Sequence, residues 1–182
     1  MPRLPFWLLL PLLLTLPLCA ALAGDCPASL NFQVRPLASD RTESLCERYA
    51  GKVLLVVNTA SRCGFTPQYD GLEALYGRYR DRGLVVLGFP SNDFAQEPDT
   101  EQDIQNFCRL NHGVQFPMYE KIQVSGPDAH PFYRQLAAQG GGYPEWNFYK
   151  YLVDRQGVVV ARFPSQIRPD DPQLIAAIEK LL

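Results

Sequence analysis

The sequence lacks the arrangements of cysteine and histidine that disulfide isomerases and zinc sites use. None of its five cysteines forms a Cys-x-x-Cys pair, and their spacings do not match a zinc site. The two histidines, His112 and His130, are too isolated to suggest a role. We interpret His130, which precedes a proline, as a helix-entry residue. We therefore expect neither a general disulfide isomerase nor a metal centre.

The chain also lacks an excess of charge of either sign. Its 17 basic and 19 acidic residues give a formal net charge of −2, and no basic patch suggests binding to nucleic acid. No internal repeat or low-complexity tract follows the first residues. A length of 182 residues fits one domain that can bury a sizeable core without a metal.

The one long apolar run lies at the start of the chain. Arg3 precedes the apolar residues 6–14, and Ala21 to Ala23 provide small residues typical of a cleavage site. We predict a signal peptide over residues 1–23, a mature domain over 24–182, and an exported protein that is periplasmic or secreted. The alternative is a membrane anchor, but Pro11, Pro17 and the short run argue against stable membrane insertion.

The pattern after residue 24 alternates short apolar strands with amphipathic helices. A buried strand is predicted over 52–58, a helix with Thr66 as N-cap and Pro67 at its first position, and a second buried strand over 84–89. Helices are predicted from Thr100, from His130 and over 172–182, with a hairpin of strands 148–153 and 158–163. The first strand–helix–strand unit is expected to be a right-handed parallel crossover. This order predicts a three-layer α/β domain of thioredoxin-like type, with a central mixed sheet flanked by helices.

Cys63 lies between the first predicted strand and the following helix. A thiolate at a helix N-terminus is stabilised by free backbone amides and by the helix dipole, and Arg62 adds a positive charge. This position is typical of a reactive cysteine. From position alone, a buried and inert cysteine is an equally good interpretation.

Three longer motifs favour the reactive interpretation. The segments 58–69 (NTASRCGFTPQY), 89–98 (FPSNDFAQEP) and 146–148 (WNF) resemble, in the right order, the active-site blocks of the glutathione peroxidase family. The likeness runs from about residue 30 to the C-terminus. It implies a thioredoxin-like fold and a peroxidase that needs no metal or organic cofactor and serves in the oxidative stress response.

In that family a Gln, a Trp and an Asn surround the reactive group, and the resemblance places them at Gln96, Trp146 and Asn147. All three are uncharged hydrogen-bond donors that can favour a thiolate. The chain departs from the family at Ser91, which replaces a Cys, and at Asp93, which replaces a Gln, and its loop before Gln96 is one residue shorter. It has cysteine where some members carry selenocysteine.

Cys108 resembles the resolving cysteine of two-cysteine family members, most of which use thioredoxin-type reductants instead of glutathione. The resemblance implies that peroxide converts Cys63 to a sulfenic acid, that Cys108 forms a disulfide with it, and that a thioredoxin-like protein or glutathione restores both thiols. The short segment between Lys121 and Trp146 resembles monomeric members. A buried helix cysteine is the alternative interpretation of Cys108.

The remaining cysteines of the mature domain are Cys26 and Cys46. Four cysteines allow three full pairings, and the sequence alone does not choose among them. Because these two lie outside all three motifs, we expect them to form a structural disulfide in an oxidising compartment. Two other functions stay open: a thiol–disulfide oxidoreductase or redox sensor that acts on other proteins through Cys63 and Cys108, and a non-catalytic binding domain.

Overall fold

A computed structural model describes residues 26–97 and 99–182. The regular elements are β1 (Gln33–Val34), β2 (Glu43–Ser44), α1 (Leu45–Tyr49), β3 (Val53–Thr59), α2 (Gln68–Tyr79), β4 (Leu84–Pro90), α3 (Glu101–His112), α4 (Pro131–Gly140), β5 (Lys150–Val153), β6 (Val159–Phe163) and α5 (Pro172–Glu179). Short 3-10 turns at Ala28–Leu30 and Arg80–Arg82 complete the set.

The four long strands form one mixed sheet in the order β4-β3-β5-β6. Strands β3 and β4 are parallel, since α2 connects them, while β5 pairs antiparallel with β3 and with β6. The predicted parallel pairing of the first two long strands and the added hairpin are therefore confirmed. Strand β3 lies in the interior of the sheet, and all seven of its residues are buried.

Helices cover both faces of this sheet. Val53, Leu55 and Val57 pack in one core with residues of α2, α3 and α5, whereas Leu54 and Val56 pack in a second core with residues of α1 and α4. The period-2 alternation of side chains along β3 divides its apolar residues between the two cores. The predicted three-layer arrangement is confirmed.

The N-terminal segment is tied to the second core. Strands β1 and β2 pair antiparallel, and Ser44 caps α1 by accepting a hydrogen bond from the Glu47 amide. A disulfide joins Cys26 to Cys46, with their Cα atoms 5.8 Å apart. This is the pair that the sequence analysis expected.

Some element boundaries differ from the sequence prediction. Helix α2 begins at Gln68 and not at Pro67, and Thr66 does not cap it, because the Thr66 hydroxyl is engaged within the preceding loop. Strand β5 begins at Lys150 and not at residue 148, because Phe148 has a left-handed backbone with φ of 62°. Helix α5 ends at Glu179, earlier than predicted.

The predicted signal peptide, residues 1–23, lies outside the described residues. Among the residues that are described, none of the helices combines the length and the hydropathy needed to cross a membrane.

Candidate active site

Cys63 lies in the loop that connects β3 to α2. The Thr66 hydroxyl organises this loop, because it accepts a hydrogen bond from the Cys63 amide at 3.0 Å and donates one to the Ala60 carbonyl at 2.9 Å. The backbone amide of Thr66 in turn donates to the Cys63 carbonyl. These contacts hold the cysteine at the entrance to α2, as the sequence predicts.

The Cys63 side chain is 8% exposed. Its Sγ accepts a hydrogen bond from the Phe65 amide at 3.4 Å. Phe65 lies in the turn before α2, which begins at Gln68, and a backbone N–H that donates to a sulfur favours the negative form of that sulfur. The Cys63 sulfur is therefore nearly buried and has a backbone N–H as its hydrogen-bond partner.

Gln96 and Asn147 are brought together across 51 residues of sequence. The Asn147 side-chain amide donates to Gln96 Oε1 at 2.9 Å, and the Gln96 carbonyl accepts from the backbone amide of Arg62, next to Cys63. In the described part of the chain, Phe65 is the one donor to Cys63 Sγ. Two of the three amide and indole donors expected from the sequence therefore contact each other, beside the cysteine loop.

Trp146, the third expected donor, lies at the surface of the site. It is 40% exposed, and its ring packs against Phe94 with the ring centroids 5.3 Å apart. A cavity of about 720 Å³ begins at Gly64 and Phe65 and extends to Arg168 and its neighbours. Trp146 and Phe94 therefore form a partly exposed aromatic surface, and neither they nor Cys63 are among the residues that line this cavity.

The shortened loop before Gln96 contains a left-handed residue. Ala95 has φ of 56°, and its amide donates to the Asn92 carbonyl in a tight turn. Asp93 fixes the start of this loop, because its carboxylate accepts hydrogen bonds from the amides of Val124 and Ser125 at 2.7 and 2.9 Å. The departure from the family at Asp93 thus supplies a contact that anchors the loop.

Glu97 is a buried carboxyl that the sequence analysis did not single out. It is 0% exposed, and its Oε2 accepts a hydrogen bond from the Ser61 hydroxyl at 2.9 Å. Burial raises the pKa of Glu97 to about 7. In the sequence, only its position directly after Gln96 indicated that Glu97 lies near the site. The Glu97–Ser61 contact joins the loop of Gln96 to the loop of Cys63.

Cys108 lies on α3 and is buried. Both Cys63 and Cys108 are free thiols. Burial raises the pKa of the Cys108 thiol to about 11, and the Tyr69 hydroxyl faces it. A separate cavity of about 580 Å³ borders Cys108, and Cys63 is not among the residues that line it.

Comparison with known proteins places these features in a family. The family model described as "Glutathione peroxidase" matches residues 31–137. The hydroperoxy fatty acid reductase of Synechocystis sp. is 53% identical over 145 residues, which cover 74% of this chain and 85% of that protein. The glutathione peroxidase-like peroxiredoxin of Schizosaccharomyces pombe is 53% identical over 125 residues, covering 66% and 79%.

Solved structures agree on the fold. The apo structure of Trgpx has a TM-score of 0.67 and 36% identity, with 84% of this chain and 94% of that chain covered. A thioredoxin-family thiol:disulfide interchange protein from Chlorobium tepidum has a TM-score of 0.62 at 14% identity, covering 82% and 92%. The latter shows only the fold, and the predicted thioredoxin-like architecture is confirmed.

Proposed function

The chain belongs to the glutathione peroxidase family and is a thiol peroxidase that reduces hydroperoxides, and from this premise we propose that Cys63 is the thiol that attacks the peroxide. The observation that carries the proposal is the position of its sulfur. Cys63 Sγ accepts from the Phe65 amide in the loop before α2, and the backbone of its neighbour Arg62 is hydrogen-bonded to Gln96, whose side chain accepts from Asn147.

The reaction follows from this arrangement. The Cys63 thiolate attacks one peroxide oxygen, the O–O bond breaks, and the other oxygen leaves with a proton as water or an alcohol. Cys63 becomes a sulfenic acid, and the peroxide gains two electrons. We assign Gln96, Trp146 and Asn147 to the stabilisation of negative charge on the sulfur and on the leaving oxygen, because they are neutral donors.

Cys108 is assigned as the resolving cysteine. Its thiolate attacks the Cys63 sulfenic sulfur, hydroxide leaves and takes up a proton, and a Cys63–Cys108 disulfide forms. Inside α3 the raised pKa of Cys108 keeps it protonated at neutral pH. Opening of α3 into water removes the burial that raises this pKa and brings the thiol within reach. Of the residues of α3, only Ile104 and Cys108 are buried, which supports such an opening.

A fatty acid hydroperoxide is the substrate class that the surface of the site favours. Trp146 and Phe94 form an aromatic surface, and Phe65 is partly buried beside the cavity at Gly64. Apolar rings of this kind can hold a hydrocarbon chain while its hydroperoxide group reaches Cys63. The similar protein from Synechocystis is named as a reductase of hydroperoxy fatty acids.

A thioredoxin-type dithiol is the proposed reductant, and the protein is proposed to be a monomer. The second free cysteine supports a dithiol reductant, because an intramolecular disulfide is reduced by a dithiol protein. The similar protein from Schizosaccharomyces pombe is named as a peroxiredoxin. Steady-state assays with thioredoxin, glutathione and an exported dithiol protein test the proposed reductant. Each reductant is supplied with hydrogen peroxide or with a fatty acid hydroperoxide, and the comparison of the two peroxides tests the proposed substrate class. Turnover with glutathione alone contradicts the dithiol proposal. Light scattering during gel filtration tests the monomer.

The same assay separates the peroxidase from a thiol–disulfide oxidoreductase. A peroxidase consumes peroxide with a purified dithiol donor and no protein substrate. An oxidoreductase or redox sensor needs a protein thiol to oxidise. Absence of peroxide consumption in the first mixture, with restoration by a protein substrate, contradicts the function proposed here.

Export is proposed from the first residues and from the disulfide. The stretch after Arg3 has the features of a signal peptide, and the Cys26–Cys46 bond persists in an oxidising compartment. Fractionation of cells, with mass spectrometry of the exported chain, tests this proposal. An N-terminus near Gly24 is expected, whereas retention of Arg3 in the exported chain contradicts cleavage at the proposed position.

A further inference from the structure

Three consecutive backbone carbonyls next to the active site each accept a hydrogen bond from a different buried side chain. The pairs are Asn58 Nδ2 to the Trp146 carbonyl at 3.0 Å, Ser165 Oγ to the Asn147 carbonyl at 2.6 Å, and Lys150 Nζ to the Phe148 carbonyl at 2.7 Å. All three donor residues are buried. We call them the donor cradle of the turn 146–148.

The turn that the cradle holds is conformationally demanding. Phe148 has φ of 62°, in the left-handed region, where bulky residues are rare. Such a conformation is strained and persists only where the surroundings impose it. The Phe148 amide also donates to the Asn58 carbonyl at 2.7 Å. The turn is therefore held from both its amide and its carbonyl side.

Lys150 is the unusual member of the cradle. It is 0% exposed in β5, opposite Val57 and Phe163, and no carboxylate in the part of the chain that the structure describes forms an ion pair with its amine. A buried amine without a counter-charge is costly, and a methionine fills a similar space without that cost. Packing alone thus gives no reason for a lysine here. Burial lowers the pKa of Lys150 to about 7, and the neutral amine still donates to a carbonyl.

We propose that the donor cradle, and Lys150 in particular, holds Phe148 in its left-handed conformation and thereby positions Asn147 and Trp146 to assist the attack of Cys63 on the peroxide. Lys150 is a positioning residue and does not touch the peroxide. The proposal rests on the function proposed above. Because Asn147 donates to Gln96, movement of this turn also releases the Gln96 side chain.

The test compares two variants of similar size at neighbouring positions. Lys150→Met removes the N–H donor but keeps an unbranched chain. Tyr151→Phe is the control, because the adjacent Tyr151 hydroxyl also donates at 2.7 Å to a turn carbonyl, that of Gly142, away from the active site. All proteins are the mature chain from Gly24, in which Trp146 is the one tryptophan, so that its fluorescence reports on the turn.

Lys150→Met is expected to lower the rate constant for oxidation of Cys63 by hydrogen peroxide at least about 10-fold, since misplacement by 1 Å can cost about 100-fold. The Trp146 emission and its quenching by acrylamide are expected to change, while the midpoint of thermal unfolding stays level or rises. Tyr151→Phe is expected to keep both the rate and the emission. A folded Lys150→Met protein with the parental rate overturns the proposal, whatever its emission.

Ser165→Ala gives an independent test if Lys150→Met does not fold. It removes the donor to the Asn147 carbonyl with a small loss of volume, and both the rate and the emission are expected to change. An unchanged rate of Cys63 oxidation in folded Ser165→Ala contradicts the proposal that the donor cradle positions the turn 146–148. A Cys63→Ser protein measured in parallel separates this inference from the proposed function: if it still reduces peroxide, the function is wrong, and the Trp146 emission continues to test the cradle.

Discussion

Cys63 and Cys108 carry the same functional group in different surroundings. Cys63 Sγ accepts a hydrogen bond from a backbone amide in the loop before α2, whereas Cys108 lies inside α3, where burial raises its pKa to about 11. A backbone donor beside the sulfur suits a nucleophile, as at Cys63. Burial keeps the Cys108 thiol protonated at neutral pH. This contrast supports the proposal that Cys63 reacts with the peroxide and that Cys108 acts in the later step.

Serine substitutions separate the two steps. Cys63→Ser is expected to abolish peroxide reduction with the fold intact.

Cys108→Ser is expected to leave the rate of the first oxidation of Cys63 within about 2-fold of the parental rate. Because the resolving thiol is missing, this variant is expected to accumulate the Cys63 sulfenic acid and to stop turnover with a thioredoxin-type donor. Rapid-mixing kinetics and trapping of the sulfenic acid measure these effects. Normal turnover of Cys108→Ser with that donor means that Cys108 is only a core residue.

Glu97 is expected to make stability depend on pH. Its pKa is about 7 in the fold and near 4.5 in the unfolded chain, so the folded protein binds more protons between these values. The contribution of Glu97 to the free energy of unfolding therefore falls as the pH rises from about 4.5 to 7. Urea unfolding at several pH values measures the difference in the free energy of unfolding between the parent and Glu97→Gln. A difference that stays constant from pH 5 to pH 8 contradicts the raised pKa.

At the scale of single elements, α3 has the features of a helix that opens. Thr100 caps its start by accepting from the Asp103 amide, and Gly113 ends it with φ of 61°. Leu110 is 82% exposed, so the last turn buries little besides Cys108. In the proposed mechanism Cys108 leaves this turn to reach Cys63, so the stability of the C-terminal end of α3 is expected to set the rate of resolution.

Gly113→Ala tests this expectation. A Cβ there meets no other atom within 4 Å, so the substitution acts through the left-handed backbone alone. It is expected to weaken the end of α3 by about 1 kcal/mol and to raise the rate of Cys108 alkylation about 5-fold. Mass spectrometry of the Cys108 peptide measures this rate. Gly77→Ala in α2, where a Cβ also meets nothing and φ is ordinary, is the control and is expected to leave Cys108 alkylation unchanged.

At the scale of the whole molecule, the Cys26–Cys46 disulfide ties the N-terminal segment to the helix layer made by α1 and α4. Cys46 packs against the second core, and Ser29 near the other end of the tether donates to the Gly157 carbonyl. The bond closes a loop with a sequence separation of 20 residues. It lies outside the candidate active site.

Replacement of both Cys26 and Cys46 by serine is expected to lower the free energy of unfolding by about 3 kcal/mol, from the chain entropy of a loop of this size. The rate of Cys63 oxidation is expected to stay within about 2-fold, because no active-site contact passes through the bond. Denaturant unfolding and rapid-mixing kinetics give the two numbers. A large loss of rate without a loss of stability points to a role for this disulfide in the reaction.

Local sequence determined the order and kind of the main elements. The apolar run of β3, the spacing of apolar residues in α2 and the capping residues of α3 depend on neighbours a few positions away, so they can be read from the chain. The same holds for the place of Cys63 between β3 and α2. The three motifs carried the family and, through it, the proposed roles of Gln96, Trp146 and Asn147.

Tertiary structure decided the contacts between segments that are far apart in sequence. Gln96 meets Asn147 across 51 residues, and Ser61 meets Glu97 across 36. Lys150 stands in a strand where the sequence gives no sign that its amine is buried and bound to a carbonyl. Thr66 has the local pattern of a helix cap, yet its hydroxyl bonds to Cys63 and Ala60. Burial and hydrogen-bond partners depend on how the layers pack, and local propensity does not encode that packing.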